Sequence, residues 1–253
     1  MQLQLQLRYG QVNGRVLSAV FNPSALNERK TEGPVLSDFA MNSSNLFFGA
    51  VDQLLLFGAG GHGRVVAEAA MLADVWAVIN GSDRNADLCV GDLLPGIPLL
   101  DCSAAELFDG RVHVAIGHNA SREKEASLWG VTRLVSVVHP SANISKFSQI
   151  ADGCFVAATA VLAAGSCLAA GVIVNHGAVV DHDVEVGAFS HIAPHATLGG
   201  RSRVGKRVFI GAGAVLLPAV SVADDVIVGA GAVVLSNLTH AGTYVGSPAR
   251  KIR

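Results

Sequence analysis

The sequence predicts two joined architectures: a small α/β domain, half of a doubly wound sheet, followed by an all-β parallel helix of stacked coils. Two observations carry that reading. A strand, a glycine turn and a helix succeed one another over residues 53 to 73, and an unbroken six-residue period runs from residue 138 to 238. At 253 residues, 51% hydrophobic and 15% charged, the chain suits one large or two modest domains with a real core.

Taken in order, residues 1–50 have no helical period and alternate only in QLQLQL, with Asn, Ser, Gly and Pro scattered through the rest. A loosely ordered extension is expected there, with Met41 as a second candidate start. Residues 51–137 form the α/β domain. QLLLFGAGGHGRVVAEAAMLA, residues 53 to 73, reads as an apolar strand, a turn with Gly58, Gly60 and Gly63 in GxGxxG spacing, and a helix with Val65, Val66, Ala69 and Ala70 on one face. Such glycines let backbone approach a phosphate, and the helix N-terminus behind them favours an anion. A dinucleotide site also expects an acid about 20 residues on, where VWAVINGSD offers Asn80 and Gly81 as the end of the second strand. Further strands are expected at Ile97 to Leu100 and Val112 to Gly117, and a helix near Asn119 to Leu128. About 85 residues make a half-Rossmann unit suited to a mononucleotide.

From Val138, every sixth residue up to Val234 is Val, Ile or Leu, at all seventeen positions. Two residues later in phase, from Pro140 to Ser236, none is. The position four after each aliphatic is usually small, as at Ala142, Cys154, Ala160, Ala178 and Ala196. One inward aliphatic and one small corner residue per hexad, three hexads per 18-residue coil, is the pattern of a parallel β-helix. It also accounts for residues 153 to 174, 22 residues without a charge, which hydropathy alone would offer to a bilayer. They are one well-filled turn of the coil stack. The hexads resemble the hexapeptide-repeat acyltransferases, and the resemblance implies a left-handed parallel β-helix over residues 138–238, with 239–253 as a C-terminal cap.

A formal net charge of −2 and the absence of Lys/Arg blocks leave no footprint for nucleic acid or an anionic membrane. The cysteines at 89, 102, 154 and 167 form no CxxC pair, and the N-terminus is not a secretory signal, so a cytoplasmic protein with free thiols is expected. The partners should be small molecules or other subunits.

The sparse charge gathers at NHGAVVDHDVEVGAFSH, residues 175 to 191. In hexad phase His176 and His182 fall two residues after the aliphatic, outside the core. His182 lies between Asp181 and Asp183, and a carboxylate neighbour can fix the imidazole tautomer and make the ring a proton acceptor. A solvated corner is the plain alternative, and His182, His191 and His195 as zinc ligands another, although no HxxxH helix or cysteine partner accompanies them.

With the glycine domain, this stretch is similar to bacterial sugar acetyltransferases that include sialic acid O-acetyltransferases and N-acetyltransferases of UDP-4-amino sugars; the resemblance runs from about residue 53 to 253. It implies His182 in VVDHD as the catalytic base and Asp183 as its acidic neighbour, where the family often has Glu. It implies Asn175 in VNHG as a substrate-side residue and His191 in FSH as a contact to acetyl-CoA near the thioester. His62 in GGHG would approach the substrate, Gly60, Gly61 and Gly117 would line the nucleotide-sugar pocket with Asn80 and Gly81 in place of an acidic pair, and backbone at Ala212 and Ala230 would border the acetyl-CoA groove. His176 and His195 receive no role.

The implied reaction is N-acetylation of a nucleotide-activated 4-amino-dideoxy sugar for surface glycan biosynthesis, by direct transfer from acetyl-CoA as co-substrate, without a metal. A homotrimer with sites between subunits is expected. Seven basic residues from Arg201 onward (Arg201, Arg203, Lys206, Arg207, Arg250, Lys251, Arg253) are candidates for the CoA phosphates, and GTYVGSPARKI resembles the segment that closes such coil stacks. The alternatives are a sialic acid O-acetyltransferase, a non-catalytic β-helix scaffold and a glycine-rich oxidoreductase.

Overall fold

The structure is a computed structural model that describes residues 53–253; the expectations for residues 1–50, including Met41, lie outside them. Strand β1 (Gln53–Phe57) stands between β2 (Val78–Ser82) and β5 (Arg111–Val114), all parallel. Leu54, Leu55, Leu56 and Phe57 are buried on both sheet faces, which is why this strand is a continuous apolar run. Helix α1 (Gly61–Ala73) covers one face, while α2 (Cys102–Glu106) and α3 (Asn119–Trp129) cover the other.

Ile97 to Leu100 departs from the expected strand. Asp92–Leu94 (β3) and Ile97–Pro98 (β4) make a small antiparallel hairpin turned at Gly96, whose φ is 86°. Pro98 has no N–H to extend a ladder, and the segment meets the main sheet at Gly81 alone in ladder terms, where Leu99 forms a parallel bridge and the Leu100 N–H donates to the Gly81 carbonyl at 2.8 Å.

From Val137 the chain winds as a parallel β-helix. The first of its three sheets contains Val137–Val138, Phe155–Val156, Ile173–Val174, His191–Ile192, Phe209–Ile210 and Val226–Val228; the second holds the strands from Asn143–Ile144 to Val233–Val234. The third runs from Gln149–Ile150 to Ser221–Val222. Register advances by one coil, as in Val161 opposite Val179 and Val179 opposite Thr197. The hexad aliphatics from Val156 to Val234 point inward and are buried, together with the small corner residues Cys154, Ala160, Ala178, Ala196 and Ala214.

From Gly153 to Gly231 each corner turns through a residue with left-handed backbone, three after the aliphatic. Gly153, Gly165, Gly171 and Gly177 occupy it in the lower coils, and Asp183, Phe189, His195, Arg201 and Arg207 follow with φ of 54° to 61°. The cap closes the first sheet: Gly242–Val245 adds to it in parallel, and Arg250–Lys251 folds back antiparallel.

The two domains share a core. Phe155 and Ile173 project outward from the first sheet and pack with Leu54, Leu56, Val66, Ala69 and Ala70. Full burial of such a side chain is worth about 1.5–3 kcal/mol, so this contact fixes the glycine turn against the coil stack. In the same outward row, one coil higher, stands His191.

Candidate functional site

The glycine turn is shaped by two of its glycines and left open by two others. A Cβ on Gly58 would stand 2.6 Å from the Ala115 carbonyl oxygen, and one on Gly63 only 1.9 Å from that of Gly58. Gly60 and Gly61 have nothing within 4 Å of such a Cβ, and no side chain caps the helix that starts there.

The structure relocates the acid that should meet this turn. Strand β2 runs to Ser82, so Asn80 and Gly81 lie inside it, opposite Leu55 and Leu56. Gly81 is packed against Leu93 and Leu99, a core position rather than a crevice wall. The residue at the strand end is Asp83, whose carboxylate accepts the Ala59 N–H at 2.8 Å and the Asn85 N–H at 2.9 Å. Counting strand length from the sequence stopped short of it.

Where the turn meets the β-helix, buried imidazoles collect. His191, 8% exposed, donates from Nδ1 to the Gly117 carbonyl at 3.2 Å, while its Nε2 is 3.2 Å from Asn175 Nδ2. The carbonyl can only accept, so the neutral ring carries its proton on Nδ1 and takes the amide N–H on Nε2. Asn175 Oδ1 accepts in turn from the His176 N–H at 2.9 Å. Burial, followed by the Arg122 charge, lowers the His191 pKa to about 4. His62 stands beside it, rings 6.2 Å apart, edge-on to Phe155, with Nε2 buried and unbonded. Its pKa falls to about 3, first through burial and then through His191. Sequence reasoning missed His113, buried beneath them with Nδ1 2.9 Å from the Val135 carbonyl oxygen, and the buried Arg122. Neither carries a local motif.

His182 occupies a different corner. Its Nδ1 is 3.0 Å from Asp183 Oδ2, its N–H donates to Asp181 Oδ1 at 2.7 Å, and its side chain is 53% exposed. Glycines of the adjacent coils make room for the pair. A Cβ on Gly200 would stand 2.3 Å from His182 Nε2, and one on Gly165 would be 2.4 Å from Asp183 Oδ1. The Asp183 contact fixes the ring and leaves Nε2, beside Gly200, as the nitrogen that can take a proton.

Asn175 and His176 sit where the first sheet turns into the second, whereas His182 and Asp183 sit where the second turns into the third. His176 and His182 are separated by up to about 20 Å of extended chain. Ala212 and Ala230 continue the Asn175 corner upward in successive coils, Gly231 N–H donating to the Ala212 carbonyl at 2.8 Å. Gly213 and Gly231 beside them have open space around them. Asn175 and His182 thus occupy separate edges of one chain.

Of the seven basic residues, Arg203 pairs with Glu185 at 3.3 Å and Arg207 with Asp225 at 2.7 Å and Glu123 at 3.3 Å. Those two charges are already engaged. His195 lies over Gly177. Among the described residues no cluster of three His, Cys, Asp or Glu could hold a metal, and no helix is long and apolar enough to cross a membrane.

Residues 53–127 match the family described as the PglD N-terminal domain, and residues 201–236 match the bacterial transferase hexapeptide of six repeats. The acetyltransferase domain of PglB from Neisseria gonorrhoeae FA1090, solved in complex with acetyl coenzyme A, is 35% identical; the match covers 81% of this chain and all of that one, with a TM-score of 0.74. A histidine-to-alanine variant of GDP-perosamine N-acetyl transferase from Caulobacter crescentus, in complex with CoA and GDP-perosamine, is 32% identical over 81% of this chain and 98% of that one, with a TM-score of 0.74. WeeI from Acinetobacter baumannii AYE, 20% identical over 80% and 100% of the two chains, shares the fold at a TM-score of 0.54. With its glycine-turn domain fused to hexad coils and two such relatives matched over nearly their whole length, the chain belongs to the hexapeptide-repeat sugar acetyltransferases, acyltransferases that take acetyl-CoA as co-substrate.

Proposed function

We propose that this acetyltransferase acetylates the amine of a nucleotide-activated 4-amino-dideoxy sugar, with His182 as general base. The observation that carries this reading is the His182–Asp183 contact on an exposed corner, with Nε2 left over for the incoming nucleophile. The amine attacks the thioester carbonyl, the tetrahedral intermediate expels the CoA thiolate, and Nε2 takes the proton that the new amide must lose and passes it to the sulfur. Atoms balance without a covalent enzyme intermediate.

On this reading the nucleotide sugar lies at the glycine turn, with Gly60, Gly61 and the Gly117 loop against it and Asp83 at the ribose end. His62 and Asn175 face its sugar, His191 meets acetyl-CoA near the thioester, and the rest of acetyl-CoA runs up the corner of Ala212 and Ala230. Because His182 occupies another edge, the site closes when three chains associate and the base of one chain meets the substrate corner of the next. The outward row Val161, Val179, Thr197, Val215 and Val233 on the second sheet supplies a largely apolar face for that contact. The perosamine N-acetyl transferase relative favours an amine over the hydroxyl of sialic acid.

Thiol release from acetyl-CoA, followed with UDP- and GDP-linked 4-amino sugars and with sialic acid, tests this. Wild type should release thiol with an amino sugar, and His182→Ala should lose about 10²- to 10⁴-fold in kcat at unchanged Tm. Release with sialic acid alone would reassign the nucleophile to a hydroxyl, and none with either class would leave a scaffold.

A further inference from the structure

Among the described residues Arg122 is the largest fully buried side chain, 1% exposed, and no carboxylate hydrogen-bonds to it. An unpaired buried charge is costly unless every donor is met, and here every one is met by a neutral oxygen. Nε donates to the Gly171 carbonyl at 2.8 Å, and Nη1 to those of Ile116 at 2.9 Å and Gly117 at 3.1 Å. Nη2 reaches the carbonyls of Phe189 at 2.8 Å and Ser190 at 3.3 Å, and Asn119 Oδ1 at 3.0 Å. One guanidinium therefore grips the loop after β5 and two successive coils of the β-helix.

The Gly117 carbonyl held by Nη1 is the one that receives His191 Nδ1–H. A relay follows: Arg122 to the Gly117 carbonyl, that carbonyl to His191, His191 Nε2 to the Asn175 amide, and Asn175 Oδ1 to the His176 backbone. We infer that Arg122 is a positioning residue for acetyl transfer, holding His191 in the Nδ1–H tautomer so that the Asn175 amide has one orientation at the substrate corner. Five donors in a planar fork do this; a lysine, with a point charge and a shorter reach, does not.

The charged and titratable groups around His191 and its neighbour His62 are Arg122 from α3, His113 from β5 and His176 from the coil below, and none of the hydrogen bonds of Arg122, His62, His113 or His191 is to a carboxylate. A proton added to His191 would aim a second N–H at the Asn175 amide and force that amide to flip. The buried Arg122 charge opposes the step.

This inference rests on the proposed function for its kinetic arm only. Histidine side-chain ¹⁵N NMR of the wild type, with His191 assigned by His191→Gln, should show the Nδ1–H tautomer unchanged from pH 8 to pH 5. An Nε2–H tautomer, or titration in the ordinary histidine range, would overturn the relay whether or not the enzyme turns over. Arg122→Met should raise the His191 titration above that of the wild type, still below the ordinary range because burial is the larger cause, remove the single tautomer, and lower kcat about 10- to 100-fold. Arg122→Lys, which keeps the charge, should retain the low titration but lose the single tautomer. Folded variants of lower Tm whose His191 signals and pH–rate profiles match the wild type would reduce Arg122 to a structural strut. An inactive wild type with the expected His191 spectrum would remove the functional reading and leave the relay standing.

Discussion

Acid should unfold this protein through its buried imidazoles before its carboxylates titrate. His62, His113 and His191 have folded pKa values lowered to about 3, 4 and 4 by burial, against 6.5 for the exposed side chain. All three are neutral in the folded state, while the unfolded chain protonates them below pH 6.5. Their contribution to stability is complete above pH 6.5 and is lost as pH falls through the window down to the folded values. At pH 5 the unfolded state gains about 1.5 pH units of protonation free energy per ring, or about 2 kcal/mol each. The three sum to about 6 kcal/mol, a large part of an ordinary folding free energy. Urea unfolding at half-unit pH steps from 7.5 to 5 should show the free energy falling by up to about 4 kcal/mol per pH unit near the acid end, since each proton taken up contributes about 1.4. His113→Asn places an amide N–H where Nδ1–H meets the Val135 carbonyl and removes one titration, so its slope should fall by about a third whatever its absolute stability. A urea midpoint unchanged between pH 7.5 and 5, or a slope unaltered in His113→Asn, would refute the buried-neutral assignment.

Gly200→Ala introduces a methyl 2.3 Å from His182 Nε2 at ordinary backbone angles. It should swing the ring aside and cut kcat at least tenfold with Tm nearly unchanged, read by thiol release and thermal melting. Gly63→Ala drives its Cβ to 1.9 Å from the Gly58 carbonyl oxygen, a backbone atom that cannot yield. A loss of several kcal/mol is expected in urea titration, as for other overpacked core sites. Asp83→Ala leaves the Ala59 N–H without its acceptor at the glycine turn, and a rise of at least tenfold in KM for the nucleotide sugar with kcat little changed is expected from initial-rate kinetics.

The β-helix was legible because its rule is local: one inward aliphatic every six residues is a constraint each coil imposes on its own sequence. The glycine turn was legible for the same reason, and so was the His182–Asp183 pair, two neighbours on one corner. What escaped depends on distant partners. Asp83 was passed over because strand length is set by pairing with β1 and β5, not by a boundary residue, so Asn80 and Gly81 took its place. Arg122 lies on the helix expected near Asn119 to Leu128, yet its partners are backbone carbonyls of Gly171, Phe189 and Ser190, which no sequence pattern records. His191 was identified as a ligand contact, while its two hydrogen bonds to Gly117 and Asn175 needed both domains in place.

The 18-residue register sets an arithmetic on length. Removing one hexad between Phe155 and Asn175 would set every later residue back by one corner, placing His182 on the edge that now bears Asn175 and turning Phe155 and His191 onto different faces. Removing three would return each side chain to its own edge, one storey lower. Lengths in this part of the chain are therefore constrained modulo 18, so natural variants and designed grafts should gain or lose whole storeys, while a six-residue change would leave a folded coil stack whose chemistry faces the wrong way.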